Sequence, residues 1–210
     1  MNADINVVGV LLAGGLSRRM GGGDKNLLQL AGQSILSRTI ARVTPQVSTL
    51  ILNANGDAGR FASYGLPVVG DVIDGFAGPL AGILTGLEWA SANRPDCQWI
   101  ATFPTDAPFL PENLVAKLMQ AVAAEGADMA CATSNNRTHP PIAVWPVRLK
   151  NELRQAMVDE DMRKIDLWTG RYSTAHVAFD DPDMDPFFNI NRPENLDEAE
   201  RYLAQSGSGN

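Results

Sequence analysis

A nearly unbroken apolar segment runs from Ile5 to Ala13 and leads directly into a loop with five glycines between positions 14 and 23. A strand that is apolar on both sides must be covered on both sides, which is typical of the centre of a parallel sheet. Glycines at the carboxyl end of such a strand let the backbone approach a ligand closely. This junction predicts an α/β fold with a ligand site at the carboxyl edge of its sheet.

Strand-like and helix-like segments alternate along the chain, which predicts a mostly parallel, twisted sheet with helices on both faces. The further predicted strands are residues 49–53, 67–70, 99–103, 127–132, 142–145 and 174–179. The predicted helices are residues 35–43, 79–92, 111–124, 147–157, 161–168 and 193–204. The last third is less regular, so antiparallel strands are expected at one edge. We expect one domain over residues 1–205 and a flexible tail over 206–210.

The charge balance narrows the class of partner. The 210-residue chain has 17 basic and 24 acidic side chains, and its formal net charge is −7. It therefore lacks the broad positive field of a duplex-DNA binder, and no nucleic-acid partner is expected. A small anionic ligand remains compatible, because it needs only a few local cations and backbone N–H groups.

Cysteine usage and hydropathy predict the compartment. Cys97 and Cys131 have no CxxC spacing, which excludes a cysteine zinc site and favours two reduced thiols in or near the core. We find no signal-peptide pattern and no run of the ~20 apolar residues that a membrane span needs. A cytoplasmic protein without membrane association is expected.

Three cations fall within a span of eight residues in and directly after the glycine loop, at Arg18, Arg19 and Lys25. Together with loop N–H groups they would form a cradle for a polyphosphate. The loop is neither GxxxxGK[ST] nor GxGxxG, so it is neither a P-loop nor a dinucleotide fingerprint. The alternative is a glycine-rich surface loop with solvated arginines, which explains the coincidence of strand, glycines and cations less well.

The segment LAGG-x-S-x-R-M-G-x-x-DK over residues 12–25 resembles the opening signature of nucleotidyltransferases. Its RRMGG-x-DK form is most similar to the molybdenum cofactor guanylyltransferases, and further matching blocks occur in order at residues 78–83, 104–108 and 187–194. The resemblance implies a single-domain, three-layer, Rossmann-like nucleotidyltransferase fold. It also implies a Mg²⁺-dependent transfer of GMP from GTP to the terminal phosphate of molybdenum-bearing molybdopterin, with release of pyrophosphate. Transient contacts with the molybdenum-insertion enzyme and with apo-molybdoenzymes are a further implication.

Asp106 is the candidate metal ligand. It follows the predicted strand 99–103 in a turn bounded by two prolines, so it should lie at the same sheet edge as the glycine loop. Mg²⁺ binds one or two carboxylates together with substrate phosphates, and the resemblance implies this role for Asp106. The alternative is a turn aspartate before the next helix. Asn191, which shares one face of an extended segment with Asn189, is the candidate second ligand, and a purely structural amide is equally plausible.

The resemblance also implies a set of GTP contacts, made by Leu12, Ala13, Gly14, Gly15, Lys25, Asn53, Asp71 and Asp106. Lys25 would neutralise phosphate charge in the transition state, and Arg19, with Arg18 as a second candidate, would stabilise the departing pyrophosphate. The implied catalytic residues are therefore Lys25, Asp106 and Arg19.

Asn53 ends one predicted strand and Asp71 follows another, so both should face the ligand. A carboxylate can accept hydrogen bonds from N1–H and the amino group of guanine, and an amide can pair with base or ribose. The sequence does not decide which of the two reads the base. The alternatives are a turn residue for Asn53 and a solvated loop charge for Asp71.

Two further groups have weaker functional interpretations. Gly82 and Gly86 lie on one face of the predicted helix 79–92, where close packing on the sheet is the preferred interpretation. The polar stretch 135–141 is predicted to be a loop, and its Arg137 and His139 could meet the pterin or its phosphate. A merely solvated histidine is the more common case.

Two rival functions remain open at this stage. One is an enzyme of the same fold that uses CTP or a sugar-phosphate acceptor, which a nucleotide panel with pyrophosphate readout would distinguish. The other is a non-catalytic GTP-binding regulator, which would release no pyrophosphate. The acid at position 106 and the cation at position 25 argue against the regulator.

Overall fold

The computed structural model describes residues 6–13, 28–75 and 78–206. Within these ranges the strands are β1 (Val7–Leu12), β2 (Gln29–Leu30), β3 (Gln33–Ser34), β4 (Thr49–Asn53), β5 (Val68–Val69), β6 (Trp99–Pro104), β7 (Met129–Ser134), β8 (Arg137–Pro146) and β9 (Thr174–Ala178). The α-helices are α1 (Ile35–Val43), α2 (Pro79–Asn93), α3 (Leu114–Glu125), α4 (Lys150–Asp159), α5 (Ile165–Thr169) and α6 (Pro193–Ser206). Short 3₁₀ helices occupy Thr44–Gln46, Ala58–Tyr64 and Val147–Leu149.

The main sheet has seven strands in the order β5-β4-β1-β6-β8-β7-β9. Strand β8 is antiparallel to both of its neighbours, and every other strand pair is parallel. This confirms the predicted mostly parallel α/β sheet. The antiparallel strand was expected at one edge, and that expectation is wrong, because β8 lies inside the sheet and the edge strand β9 pairs in parallel with β7.

Helices cover both faces of the sheet, as the apolar first strand requires. In β1, Val8 and Val10 belong to a core shared with α2, α4 and α5. Val7 and Leu11 belong to a second core, on the other face, which is shared with α1 and α3. Because alternate side chains enter different cores, a continuous apolar run is the pattern that this position needs.

A third, smaller cluster joins the C-terminal helix to the small antiparallel pair β2–β3. Its buried members are Leu30, Ile35, Ile190 and Ala199. Phe109 and Tyr202 add an edge-to-face ring contact, with centroids 5.1 Å apart. The chain segment before α6 is thereby held against the start of α1.

The predicted start of the helix that follows β6 is wrong. Helix α3 begins at Leu114 and not at Pro111, because residues 111–113 form a turn in which the Leu114 N–H donates to the Pro111 carbonyl at 3.3 Å. Its predicted end is confirmed, since Gly126 caps the helix in the left-handed conformation.

The predicted polar loop over 135–141 is also wrong. Strand β8 begins at Arg137, and only Asn135 and Asn136 form the turn, with φ of 49° and 58°. Asparagine tolerates this left-handed conformation, so a two-residue hairpin turn is possible without glycine.

In the part of the chain that the structure describes, none of the helices has the length and apolar character that crossing a membrane requires. Both cysteines are buried free thiols, as predicted.

Candidate active site

Four parallel strands end side by side at one edge of the sheet, called the carboxyl edge below. The register pairs Leu12 of β1 with Asn53 of β4 on one side and with Pro104 of β6 on the other. Asn53 pairs in turn with Val69 of β5. The residues that follow these strands therefore share one surface, which is where ligands bind in open α/β sheets.

Hydrogen bonds link these strand ends to one another. The Ala13 N–H donates to the Asn53 carbonyl at 2.9 Å, and the Ala54 N–H donates to the Val69 carbonyl at 3.0 Å. On the other side, the Thr105 hydroxyl donates to the Leu12 carbonyl at 3.4 Å. A continuous line of contacts thus runs across β6, β1, β4 and β5.

Asn53 and Asp71 meet at this edge. Asn53 is 2% exposed, and its Nδ2 donates to Asp71 Oδ1 at 2.9 Å and to the Val69 carbonyl at 3.2 Å. Asn55 donates to the second oxygen, Asp71 Oδ2, at 2.7 Å. Asn53 is therefore a buried strand-end residue and not a turn residue, and the carboxylate of Asp71 is held by amides on both of its oxygens.

Glycines in α2 make room for this arrangement. A Cβ added at Gly82 would collide with the side-chain amide of Asn53 and would lie 2.7 Å from Leu12 Cδ2. A Cβ added at Gly86 would lie 2.6 Å from Val10 Cγ2. The predicted close packing of this helix on the sheet is confirmed, and at Gly82 it involves a candidate ligand residue.

Asp106 lies in the turn after β6, on the far side of β1 from Asp71. The buried hydroxyl of Thr39 in α1 lies 3.5 Å and 3.4 Å from the carbonyl oxygens of Thr105 and Ala107, on either side of Asp106. The Ile190 N–H donates to the Asp106 carbonyl at 3.0 Å. The turn that carries the carboxylate is therefore held from two directions.

The same hydrogen bond brings Asn189 and Asn191 to the Asp106 turn. Ile190 is fully buried, whereas Asn189 and Asn191 on either side of it are exposed. The predicted alternation of this segment is confirmed, and the candidate second metal ligand lies one residue from a residue bonded to Asp106. A metal role for Asn191 stays a prediction.

The donor set at this place fits Mg²⁺. Among residues 6–13, 28–75 and 78–206, no group of three His, Cys, Asp or Glu side chains forms a metal site of its own. Mg²⁺ does not need one, because it commonly binds one or two carboxylates and takes its remaining ligands from substrate phosphates and water. A single carboxylate at Asp106, with amide oxygens on the neighbouring segment, is compatible with that mode.

A family model for the MobA-like NTP transferase domain matches residues 9–172 of the chain. The chain belongs to the MobA-like NTP transferase family. The match begins in β1 and ends beyond α5, so it includes the carboxyl edge from Leu12 to His139. The resemblance noted in the sequence is confirmed.

Relatives in this family are similar to the chain over nearly their whole length. A molybdenum cofactor guanylyltransferase of Rhodopseudomonas palustris (strain BisB5) is 55% identical over 192 residues, which is 91% of each chain. A protein of the same name from Cupriavidus necator is 41% identical over 201 residues, which is 93% of this chain and 97% of the relative.

Solved structures confirm the fold. The crystal structure of molybdopterin-guanine dinucleotide biosynthesis protein A from Archaeoglobus fulgidus has a TM-score of 0.75 at 22% identity and covers 95% of this chain and 100% of its own. A 4-diphosphocytidyl-2C-methyl-D-erythritol synthase from Anaerococcus prevotii has a TM-score of 0.72 at 13% identity and covers 95% of this chain and 96% of its own. The predicted nucleotidyltransferase fold is thus borne out.

The other half of the carboxyl edge contains a buried polar cluster in this member of the family. Ser134, 1% exposed at the end of β7, donates to Asp185 Oδ1 at 2.7 Å. Because the hydroxyl proton is used there, the 2.7 Å contact between Ser134 Oγ and His139 Nε2 has the imidazole as donor. His139 is therefore ordered and not merely solvated.

Burial chiefly sets the protonation of His139. Desolvation lowers its pKa, nearby Asp185 opposes this, and Arg137 adds to the lowering. The imidazole also packs on the Phe187 ring, with centroids 4.7 Å apart. His139 is thus favoured as a neutral group with hydrogen on Nε2 at neutral pH.

Five predicted site residues lie outside the residues that the structure describes: Gly14, Gly15, Arg18, Arg19 and Lys25. Their roles stay predictions.

Sequence reasoning missed Asn55, Ser134 and Asp185 as members of polar clusters. Asn55 had a usable signal, because it follows Asn53 by two residues at a predicted strand end. Ser134 and Asp185 had none, since 51 positions separate them and only the fold brings them together.

Proposed function

We propose that the chain transfers a GMP group from GTP to the terminal phosphate of molybdenum-bearing molybdopterin, releasing pyrophosphate and forming the guanine dinucleotide cofactor. One observation carries this proposal. The line of hydrogen bonds along the carboxyl edge joins the Asp106 turn to the Asp71 carboxylate through Leu12 and Asn53. An acid suited to the metal and groups suited to the nucleotide therefore lie on one surface. The relatives named guanylyltransferases support the choice of substrates.

The reaction needs charge control more than a strong base. An oxygen of the acceptor phosphate forms a bond to the α-phosphorus of GTP, and the bond from that phosphorus to the β-phosphate oxygen breaks. The attacking phosphate is already ionised, so positioning and neutralisation of charge carry the catalysis. Bound Mg²⁺ would supply part of that neutralisation at the α-phosphate.

We assign the remaining roles by position. Asp106 would hold Mg²⁺, with Asn191 as a second ligand. Lys25 would neutralise charge on the phosphates, and Arg19 would stabilise pyrophosphate. Asn53 and Asp71 would hold the nucleoside.

The acceptor would lie beyond Asp106, on the side of β8 and β7. The nucleotide-facing residues occupy the β1, β4 and β5 side of β6, so the opposite side of the edge is the place for the second substrate. Arg137 and His139 begin β8 there, and we infer that they face the pterin or its phosphate.

The setting of the reaction is part of the same proposal. Two buried free thiols suit a reducing compartment, so we place the enzyme in the cytoplasm. Transient contacts with the molybdenum-insertion enzyme and with apo-molybdoenzymes would bring in the acceptor and take up the product.

A nucleotide panel tests the proposal. Purified protein is incubated with molybdenum-bearing molybdopterin, MgCl₂ and GTP, ATP, CTP or UTP, and released pyrophosphate is measured. Of the four nucleotides, only GTP should give pyrophosphate and dinucleotide product in equal amounts. Preferential turnover of CTP would indicate a cytidylyltransferase, and GTP binding without pyrophosphate release would indicate a regulator. Either result contradicts the proposal.

A further inference from the structure

Two asparagine amides bond to the Asp71 carboxylate, and the acceptor positions that they leave determine which nucleobase it suits. An ionised carboxylate offers about four acceptor positions on its two oxygens. Asn53 occupies one position on Oδ1, and Asn55 occupies one on Oδ2, at 2.9 Å and 2.7 Å. Each oxygen therefore retains a further acceptor position, and the pair suits a group with two adjacent hydrogen donors.

The backbone around Asp71 gives little support of its own. Strand β5 is a two-residue edge strand, paired only through Val68 and Val69. The Asp71 N–H donates to Asn55 Oδ1 at 2.8 Å, so Asn55 holds both the main chain and the side chain of this residue. The next N–H, of Val72, donates to the buried hydroxyl of Thr85 in α2 at 3.1 Å.

We infer that Asn55 is a positioning residue that orients the Asp71 carboxylate to read the N1–H and amino group of guanine. The inference rests on the proposed function. Asn53 is buried between α2 and β5, so its orientation is set by packing. Asn55 is exposed, and its reciprocal pair of hydrogen bonds is what sets the second oxygen of Asp71.

This chemistry distinguishes guanine from the other bases. Guanine presents two adjacent N–H donors, hypoxanthine presents one, and adenine presents an acceptor at N1. A site built to accept two hydrogen bonds discriminates against an analogue that lacks one donor, because one acceptor position of the carboxylate then stays unfilled. The ribose diol is the other adjacent pair of donors on GTP, so the test must separate the two.

The test compares binding of GTP, ITP and 2′-deoxy-GTP, each with MgCl₂, by calorimetry, together with KM and kcat for pyrophosphate release. Asn55→Ala should weaken GTP binding about tenfold while leaving kcat within about twofold. The preference for GTP over ITP should shrink by about the same factor, and the penalty for 2′-deoxy-GTP should stay unchanged.

Two further variants sharpen the result. Asn55→Asp keeps an acceptor for the Asp71 N–H but cannot donate to Asp71 Oδ2, so it should also lose the preference for GTP over ITP. Asn93→Ala is the matched control, since Asn93 is an exposed asparagine whose amide donates only to the Trp89 carbonyl within α2. It should bind all three nucleotides like the unmodified chain.

The outcomes separate this inference from the proposed function. A folded Asn55→Ala variant that keeps the full preference for GTP over ITP overturns the inference, and so does a change confined to 2′-deoxy-GTP. Binding does not require the acceptor, so failure of guanylyl transfer in the unmodified chain would count against the proposed function alone.

Discussion

Asp106 shows how one side chain can be placed accurately by its surroundings. Prolines flank its turn, Thr39 braces the turn from α1, and Ile190 bonds to its carbonyl. These contacts involve the main chain around the carboxylate, so the carboxylate itself can be changed without removing them.

Asp106→Asn should therefore fold normally and lose activity. We expect guanylyl transfer to fall by roughly 10²–10³-fold, the usual cost of removing an electrostatic contact to a transition state. The measurement is pyrophosphate release under saturating GTP, with the melting temperature as the folding control. Turnover at the unmodified rate would contradict the metal role.

Gly82 and Gly86 allow a matched pair of substitutions on one helix. Gly82→Ala would push against the Asn53 amide and Leu12, whereas Gly86→Ala would push only against core side chains. Both should destabilise the fold, by about 1–3 kcal/mol from overpacking. Only Gly82→Ala should also raise the Kd for GTP, measured by calorimetry. Equal GTP affinities of the two variants would mean that Asn53 takes no part in binding.

At the scale of whole elements, most strands were predictable, including both ends of β4, whereas the start of β8 was not. Val and Leu in β1, and Leu and Ile in the centre of β4, mark these strands because burial on both faces leaves few polar positions. Strand β8 was predicted five residues too short at its start, because Pro140 and Pro141 argue against a strand. The structure accommodates them where pairing with β6 has ended and pairing with β7 shifts register. Such a bulge depends on the partner strand, which local sequence cannot show.

The same limit applies to the candidate site. Asn53, Asp71 and Asp106 were predictable because each ends or follows a recognisable strand in the chain. The Ser134–His139–Asp185 cluster was not, since it needs the hairpin, the internal position of β8 and the segment before α6 to be known together.

The β7–β8 hairpin has its own test. Asn136 has φ of 58°, which a β-branched residue tolerates poorly. Asn136→Val should lower the free energy of unfolding by about 1–2 kcal/mol, measured by urea denaturation. Asn136→Gly is the control and should leave stability unchanged or slightly higher. A Val variant as stable as the Gly variant would contradict the two-residue turn.

At the scale of the whole molecule, half-buried His139 links stability to pH. Its pKa is lowered in the folded chain, so between that value and about 6.5 the unfolded chain binds more protons. The free energy of unfolding should therefore fall as the pH drops from about 6.5 towards the lowered pKa. Above about 6.5, the contribution of neutral His139 to that free energy should be complete.

His139→Gln removes this titration and can still donate to Ser134. We expect its unfolding free energy to change less between pH 7.5 and about 5 than that of the unmodified chain, by urea denaturation at each pH. The chain has two histidines, so His176→Gln on the exposed face of β9 is the natural control and should retain the slope. Identical pH profiles for both variants would show that His139 does not carry the effect.

The arrangement of strand ends places the proposed base contact and the proposed phosphate chemistry at different positions along the carboxyl edge. The side chains that hold Asp71 come from the end of β4 and the segment directly after it, whereas the Asp106 turn is braced from α1 and from the segment before α6. A graft confined to residues 53–72 and the facing surface of α2 could thus exchange one purine or pyrimidine preference for another. The phosphate chemistry would be inherited intact, which makes this edge a natural starting point for engineering new dinucleotide products.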